Sequence, residues 1–314
     1  MGMIVATALI PVFFVMLLGF FAGKRKIVDN KNVASINHFL MMFALPAALF
    51  TAIARTSREV ILMNANLMLV LALSLLIIFT VMVVLQSRLF KVGRGDGAVQ
   101  SLTVAFPNFA SIGLPLLGSV YGSQGALPVA VAIAVGSVTI SPLTLALLEL
   151  TKTDAGSASP VMKFLGALRK SVSKPIFIAP MLAVIVALCD IPVPDLALKS
   201  LGLIGQATAG AGLFLTGLVL SAQPIKINPN VVLGVLLKNV IQPIVAYLIV
   251  RALNVPEPIA GEVVLLICIP AGFFGLVFGV GYGFRPATSG STLVVSSLAS
   301  IVTLTVAILL LAPQ

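Results

Sequence analysis

Ala105-Phe106-Pro107-Asn108-Phe109-Ala110-Ser111-Ile112-Gly113-Leu114-Pro115 lies in the middle of an apolar run that extends from Ala98 to Tyr121. A run of that length reads as a membrane-crossing helix, yet Pro107 removes a backbone donor from its interior and its ring clashes with the preceding turn. The helix is therefore expected to break near Asn108. A second interruption is expected in the run from Ile259 to Gly283, where Pro270 stands in Cys268-Ile269-Pro270-Ala271-Gly272-Phe273-Phe274-Gly275. Freed N–H and C=O groups are tolerated at membrane depth only where protein buries them or they line a wet cavity, so paired interruptions mark a candidate site. A half-helix N-terminus offers unpaired N–H groups and partial positive charge, which suit a carboxylate. Asn108 adds a side-chain donor and an acceptor.

Outward from these two stretches the chain is of one kind. Its 314 residues are 60% hydrophobic and 9% charged, whereas soluble domains carry roughly 25% charged residues. Hydropathy places candidate spans at Ile4–Ala22, Ile36–Ile53, Ile61–Leu85, Ala98–Tyr121, Ala126–Leu150, Pro175–Cys189, Ala197–Leu220, Val231–Leu253, Ile259–Gly283 and Ser289–Leu311. This predicts an all-α membrane protein of about ten transmembrane helices, with little chain left for a soluble domain. The first run has no basic stretch before it and no small-residue cleavage site after it, and is expected to be a membrane helix rather than a signal peptide. Cys189 and Cys268 sit at or inside apolar runs and read as small packing residues rather than a disulfide.

The formal net charge of +10 at pH 7 resides almost wholly in the connections. No basic patch is interleaved with aromatics, so nucleic acid is set aside as a partner. Lys and Arg number about 14 in the connections after the odd-numbered spans and about 4 elsewhere in the connections, an asymmetry that places both termini outside. The connection from Thr151 to Ser173 is rich in Gly, Ser and Ala and falls at the midpoint, giving a first repeat at 1–150, a cytoplasmic linker at 151–173 and a second repeat at 174–314. Ala47-Ala48-Leu49-Phe50 matches Ala211-Gly212-Leu213-Phe214, and Val135-Gly136-Ser137-Val138 matches Val295-Ser296-Ser297-Leu298, at offsets of 164 and 160 residues. Halves of five helices each must enter the membrane from opposite sides, which makes the repeat an inverted one. Pro107 and Pro270 then fall in the equivalent fourth members, helices four and nine.

Polar groups within the spans are few, and each is a candidate. Pro107, Asn108 and Ser111 of the first interruption and Pro270, Ala271 and Gly272 of the second form the expected substrate site, with Gln206 and Thr208 as polar residues of a Gly-rich seventh span. Lys238 lies in mid-span beside Asn239 and Gln242. It reads either as a cation facing an aqueous cavity, attracting an anion or carrying a coupling proton, or as a lysine snorkelling along its stem to the interface. His38, the one histidine, stands near the start of the second span and reads as a titrating group or an interfacial one. Leu45-Pro46 is a kink candidate, and Gly275 with Gly279 fits small-residue helix packing. Ser296, Ser297, Ser300 and Thr139 read as packing or back-bonded hydroxyls. With one histidine and no carboxylate at mid-depth there is no catalytic constellation, so an enzyme is not expected, nor is a cofactor or metal.

Ile36-Asn37-His38-Phe39 through Leu45-Pro46-Ala47-Ala48-Leu49-Phe50, Asn108 with Gly113-Leu114-Pro115, Leu203-Ile204-Gly205-Gln206-Ala207-Thr208 with Thr216-Gly217, and Lys238 with Pro243 together resemble the auxin efflux carrier family, particularly its bacterial malonate or dicarboxylate carrier branch. The resemblance runs nearly end to end. It implies two inverted five-helix halves whose broken fourth and ninth helices cross, a scaffold group and a transport group moving as an elevator, a homodimer in the bacterial inner membrane, and a small organic anion bound near the crossing. Pro107, Asn108 and Pro270 occupy positions that in the plant carriers meet the substrate carboxylate. The resemblance leaves the coupling ion, proton or sodium, open. The ninth-span motif lacks an asparagine, having Ala271 and Gly272, and the long central loop of the plant carriers is replaced by the short 151–173 segment.

Overall fold

The computed structural model describes residues 2–28, 30–54, 58–59, 65–151, 162, 165–166, 169, 173, 175–223, 225–284 and 286–311. Most of the expected 151–173 linker lies outside the described residues. The rest is mainly helical, and among the described residues strand-like pairing amounts to one isolated bridge.

In chain order the helices are α1 (Gly2–Lys24) and α2, which runs from Asn30–Phe39 through a π turn at Leu40–Ala44 into Leu45–Ile53. Next come α3 (Ala65–Val84, closed by a π turn at Leu85–Leu89), α4a (Arg94–Ala105) and α4b (a π turn at Phe109–Gly113 followed by Leu114–Tyr121). They are followed by α5 (Ala126–Val138 and Ile140–Glu149), α6 (Pro175–Leu188) and α7 (Asp195–Gly205 and Ala207–Ser221). The last are α8 (Pro229–Leu236, a π turn at Leu237–Ile241, then Gln242–Ala252), α9a (Ile259–Cys268), α9b (Phe274–Gly281) and α10 (Ala287–Leu311). Seven of these, α1, α2, α3, α5, α7, α8 and α10, are long and apolar enough to cross a bilayer, while α4b, α6 and α9a are shorter apolar pieces. The two runs divided in space are the two that contain Pro107 and Pro270.

Three π turns stand immediately before a proline pair, Leu45-Pro46, Leu114-Pro115 and Gln242-Pro243. A proline brings no N–H to the turn before it and its ring needs room, which a widened turn supplies without ending the helix. At Pro46, the kink candidate, the helix continues through such a widened turn.

The helices pack in two sets. In the first, α1 lies along α7 while α6 and α7 lie on α2; in the second, α4a lies on α3 and α9b, α8 on α3, α9a and α10, and α5 on α3 and α4a. The α1–α7 contact is backbone on backbone: a Cβ on Gly217 would fall 1.9 Å from the Met16 carbonyl oxygen, and one on Gly19 would fall 2.1 Å from that of Phe214. Without a hydrophobic drive between helices in lipid, such close approach gives dispersion its grip. Gly275 and Gly279 act likewise, seating α9b on Thr103 and Val99 of α4a. The sets meet along α4b, which touches α1 and α7 on one side and α5 on the other, and also where α2 and α6 touch α5 and where α1 and α7 touch α10. Ile10, Phe14, Leu17 and Phe21 form an exposed stripe on α1, as do Leu298, Val302 and Leu310 on α10. Stripes of that size are the surface a bilayer covers.

Candidate functional site

The two interruptions meet. Phe106 leaves the helix in extended conformation (φ −103°, ψ 103°), and Ile269 does the same (φ −56°, ψ 137°). Pro107 and Ala271 then face each other as an antiparallel pair. The Asn108 N–H donates to the Pro270 carbonyl at 2.9 Å, and the Gly272 N–H donates to the Phe106 carbonyl at 2.9 Å. The pair itself is the non-hydrogen-bonded kind, so the ladder asks nothing of the N–H that Pro107 lacks. The Ala271 N–H donates instead to Ser296 Oγ of α10 at 3.0 Å. Gly272 has no room for a side chain, because a Cβ there would lie 2.4 Å from the Phe106 oxygen. Phe106 packs edge-on against Phe109 and stacks on Phe274, with Gly136 of α5 giving its ring space.

The carbonyls that the breaks expose are met from the π turn of α8. Lys238 Nζ donates to the Ile267 carbonyl, at the C-terminal end of α9a, and to Gln242 Oε1, both at 2.7 Å. Gln242 Nε2 donates to the Ala105 carbonyl, the last of α4a, at 2.9 Å. One turn of α8 thus caps both truncated helices with donors, one of them charged, where the dipoles are negative. Asn239, between them in sequence, receives the Ser296 hydroxyl at 2.6 Å and donates to the Ser296 carbonyl at 3.0 Å. Lys238 is 0% exposed, and its ammonium rests on these two oxygens in the interior.

From residue 4 to residue 308 the sequence matches the family described as "Membrane transport protein". The chain belongs to that family. It is the family to which the likeness to auxin efflux carriers pointed. Two curated relatives are similar over nearly full length. "Uncharacterized transporter YfdV" of Escherichia coli is 28% identical over 298 residues, 94% of each chain. "Putative malonate transporter" of Rhizobium meliloti is 24% identical over 301 residues, 94% of this chain and 92% of that one. The protein is a multi-pass membrane transporter.

Within this transporter the expected site residues separate. Pro107, Asn108, Pro270, Ala271 and Gly272 lie together at the meeting of the breaks, and all are buried. Ser111 follows one turn later in α4b, against Gly212 of α7, whose Cβ would fall 3.3 Å from the Ser111 Cα. Asn108, 1% exposed, donates from Nδ2 to Thr216 Oγ1 of α7 at 3.1 Å, while its Oδ1 has no partner. Thr208, Gly212 and Thr216 are spaced by four and share one face of α7. Thr208 is buried with an unpartnered hydroxyl. Gln206 and His38 are exposed. Gln206 sits at the joint between the two segments of α7, where the side chain turns outward.

Gln242, Asn239 and Ser296 hold the breaks in place but do not stand out in the sequence as site residues. The signal for Gln242 is its place four residues after Lys238 and immediately before Pro243, which puts the two side chains on one face of a widened turn. Ser297, Ser300 and Thr139 are back-bonded to Leu293, Ser297 and Val135, as expected; Ser296 differs because its O–H donates to Asn239 Oδ1 instead, leaving the oxygen to accept from the Ala271 N–H.

Proposed function

We propose that this transporter is a secondary carrier of small organic anions, malonate-like carboxylates foremost, working by elevator-type alternating access across the inner membrane. The observation that carries this reading is the pair of joined interruptions whose C-terminal ends are neutralised by α8, while the N-terminal end of α4b, with Asn108, faces α7 across the boundary between the helix sets. A half-helix N-terminus carries partial positive charge and attracts a carboxylate, and Asn108 Nδ2 has a second N–H to offer. Pro107, Ser111, Pro270, Ala271, Gly272 and Thr208 would complete the surroundings. The name of the Rhizobium meliloti relative supports a carboxylate, and the two-set packing supports one set moving against the other. Repeats at 1–150 and 174–314, inverted and joined by 151–173, with helices four and nine crossing, fit the paired breaks. The Lys and Arg distribution supports external termini, and a homodimer follows from the family likeness.

The test is uptake of radiolabelled malonate into proteoliposomes under imposed potential, proton and sodium gradients, with succinate, lactate and an aromatic acid as competitors. Saturable uptake is expected, and Asn108→Ala should lower it by about 10- to 100-fold, the worth of one hydrogen bond to a charged group, while the fold survives. Flux that does not saturate would make the protein a passive anion channel, and no movement of any organic anion would reassign the site to a non-carboxylate solute.

A further inference from the structure

Carriers with interrupted helices use the exposed carbonyls and half-helix C-termini to hold a coupling cation. Here that position is filled by the chain itself. The Ile267 carbonyl and Gln242 Oε1 converge on one point, each 2.7 Å from Lys238 Nζ, and both are neutral oxygens of the type that a hard monovalent cation takes. Gln242 turns its other end to the Ala105 carbonyl, so the charge serves α9a directly and α4a through one amide. The ammonium is fully buried and its stem starts in the widened turn of α8, which aims it inward. A lysine placed for attracting a substrate would leave its head toward a cavity; this one spends its donors on backbone and amide.

We propose that the Lys238 ammonium is a tethered substitute for a coupling cation: it clamps the C-terminal ends of the two interrupted helices, frees transport from any need for sodium, and leaves a cation site when its side chain is removed. This rests on the reading of the protein as a carrier. Because the cation is covalently held, it stays with α8 whether substrate is bound or not, and no sodium crosses with the substrate.

The experiment has two arms. In the first, thermal unfolding of purified wild type and Lys238→Ala is followed in sodium, lithium and choline chloride at equal ionic strength. The wild-type midpoint should be the same in all three, and that of Lys238→Ala should be low in choline and rise saturably with sodium or lithium by about 5 °C or more. Lys238→Met, which fills the space with an apolar stem, should be destabilised and indifferent to the salt. Saturable stabilisation of the wild type by sodium, or a Lys238→Ala variant that ignores the cation, overturns the proposal; if Lys238→Ala cannot be purified, Lys238→Ser takes its place. In the second arm, malonate uptake by Lys238→Ala in proteoliposomes should be at least about tenfold faster in sodium than in choline, while wild-type uptake is equal in both. A sodium requirement in the wild type sinks the proposal. If the wild type moves no malonate in either medium, the substrate reading fails alone, because the first arm decides the cation without substrate.

Discussion

Replacing Gly272 by alanine tests whether the two interruptions are held as one unit. The added Cβ would fall 2.4 Å from the Phe106 oxygen and 3.1 Å from that of Pro107, so the facing backbones must part by about 1 Å to reach ordinary contact. That separation breaks the Gly272–Phe106 and Asn108–Pro270 hydrogen bonds, both 2.9 Å. Four backbone groups would be left unpaired where water does not reach. At about 1–3 kcal/mol for each of the two bonds lost in burial, less about 0.4–1 kcal/mol gained from the stiffer unfolded chain, the net cost is about 1–6 kcal/mol. Cys268, buried at the end of α9a, supplies the readout once exposed Cys189 is changed to serine, because a thiol-reactive dye then reports opening at the break. The midpoint of dye reaction on heating should fall by roughly 5–15 °C, and malonate uptake should fall with it. Gly202→Ala is the control, since nothing outside its own helix lies within 4 Å of its Cβ position, and its midpoint should equal or slightly exceed the parent's. A Gly272→Ala protein as stable as Gly202→Ala would refute the joined-break reasoning.

Gln242→Leu should cost about 3–5 kcal/mol by the same thiol assay, because it strands the Ala105 carbonyl and takes one partner from a buried ammonium; Gln242→Glu keeps the acceptor and should recover part of the loss. A leucine variant of parental stability would show that the clamp is dispensable. Gln86 and Asn230 exchange two buried amide hydrogen bonds, each 2.8 Å, tying the end of α3 to the start of α8. A double-mutant cycle with leucine at both positions should give a coupling of about 1–3 kcal/mol, and additive effects would show that the pair is not joined in solution.

What was legible from sequence follows from which rules are local. A proline inside an apolar run breaks a helix by its own chemistry, so the divisions at Pro107 and Pro270 could be read directly. That the breaks face each other depends on bringing Pro107 to Ala271; the residues near either one do not announce it, and it entered the sequence reading only as what the family resemblance implies. The missing asparagine of the second motif reads in sequence as a lost contact; in space Gly272 is demanded by the Phe106 oxygen beside it. Lys238 follows the same pattern. A lone lysine in an apolar span suggests water or the interface, and the third possibility, two carbonyl-type oxygens converging in the interior, requires knowing where α9a ends. Gln206 and His38 are as polar as Asn108, but helix polarity alone does not tell which way a side chain points, and both are exposed. Gly275 and Gly279 were readable as packing residues, whereas the pairing of Gly19 with Phe214, and of Gly217 with Met16, joins helices far apart in the chain.

The distribution of strong and weak contacts bears on which parts would move. Lys238, Asn239 and Gln242 bind α8 to α4a, α9a and α10, partly by charge-assisted hydrogen bonds, and the backbone bridge adds two more between the breaks. All of those bonds stay within the second helix set. Across the boundary, the side-chain hydrogen bond joining α4b to α7 among the described residues is the one from Asn108 to Thr216, at 3.1 Å and between neutral groups, worth about 1 kcal/mol net. Beside it, Gly212 presents a smooth face to Ser111. The α4b–α7 seam is thus the lightly bonded one, whereas separating α8 from the breaks would expose a buried ammonium and two carbonyls. In the proposed movement, then, both breaks and α8 travel as one body. The Asn108–Thr216 bond is the contact given up, and a substrate carboxylate taking the second N–H of Asn108 would sit where that exchange occurs.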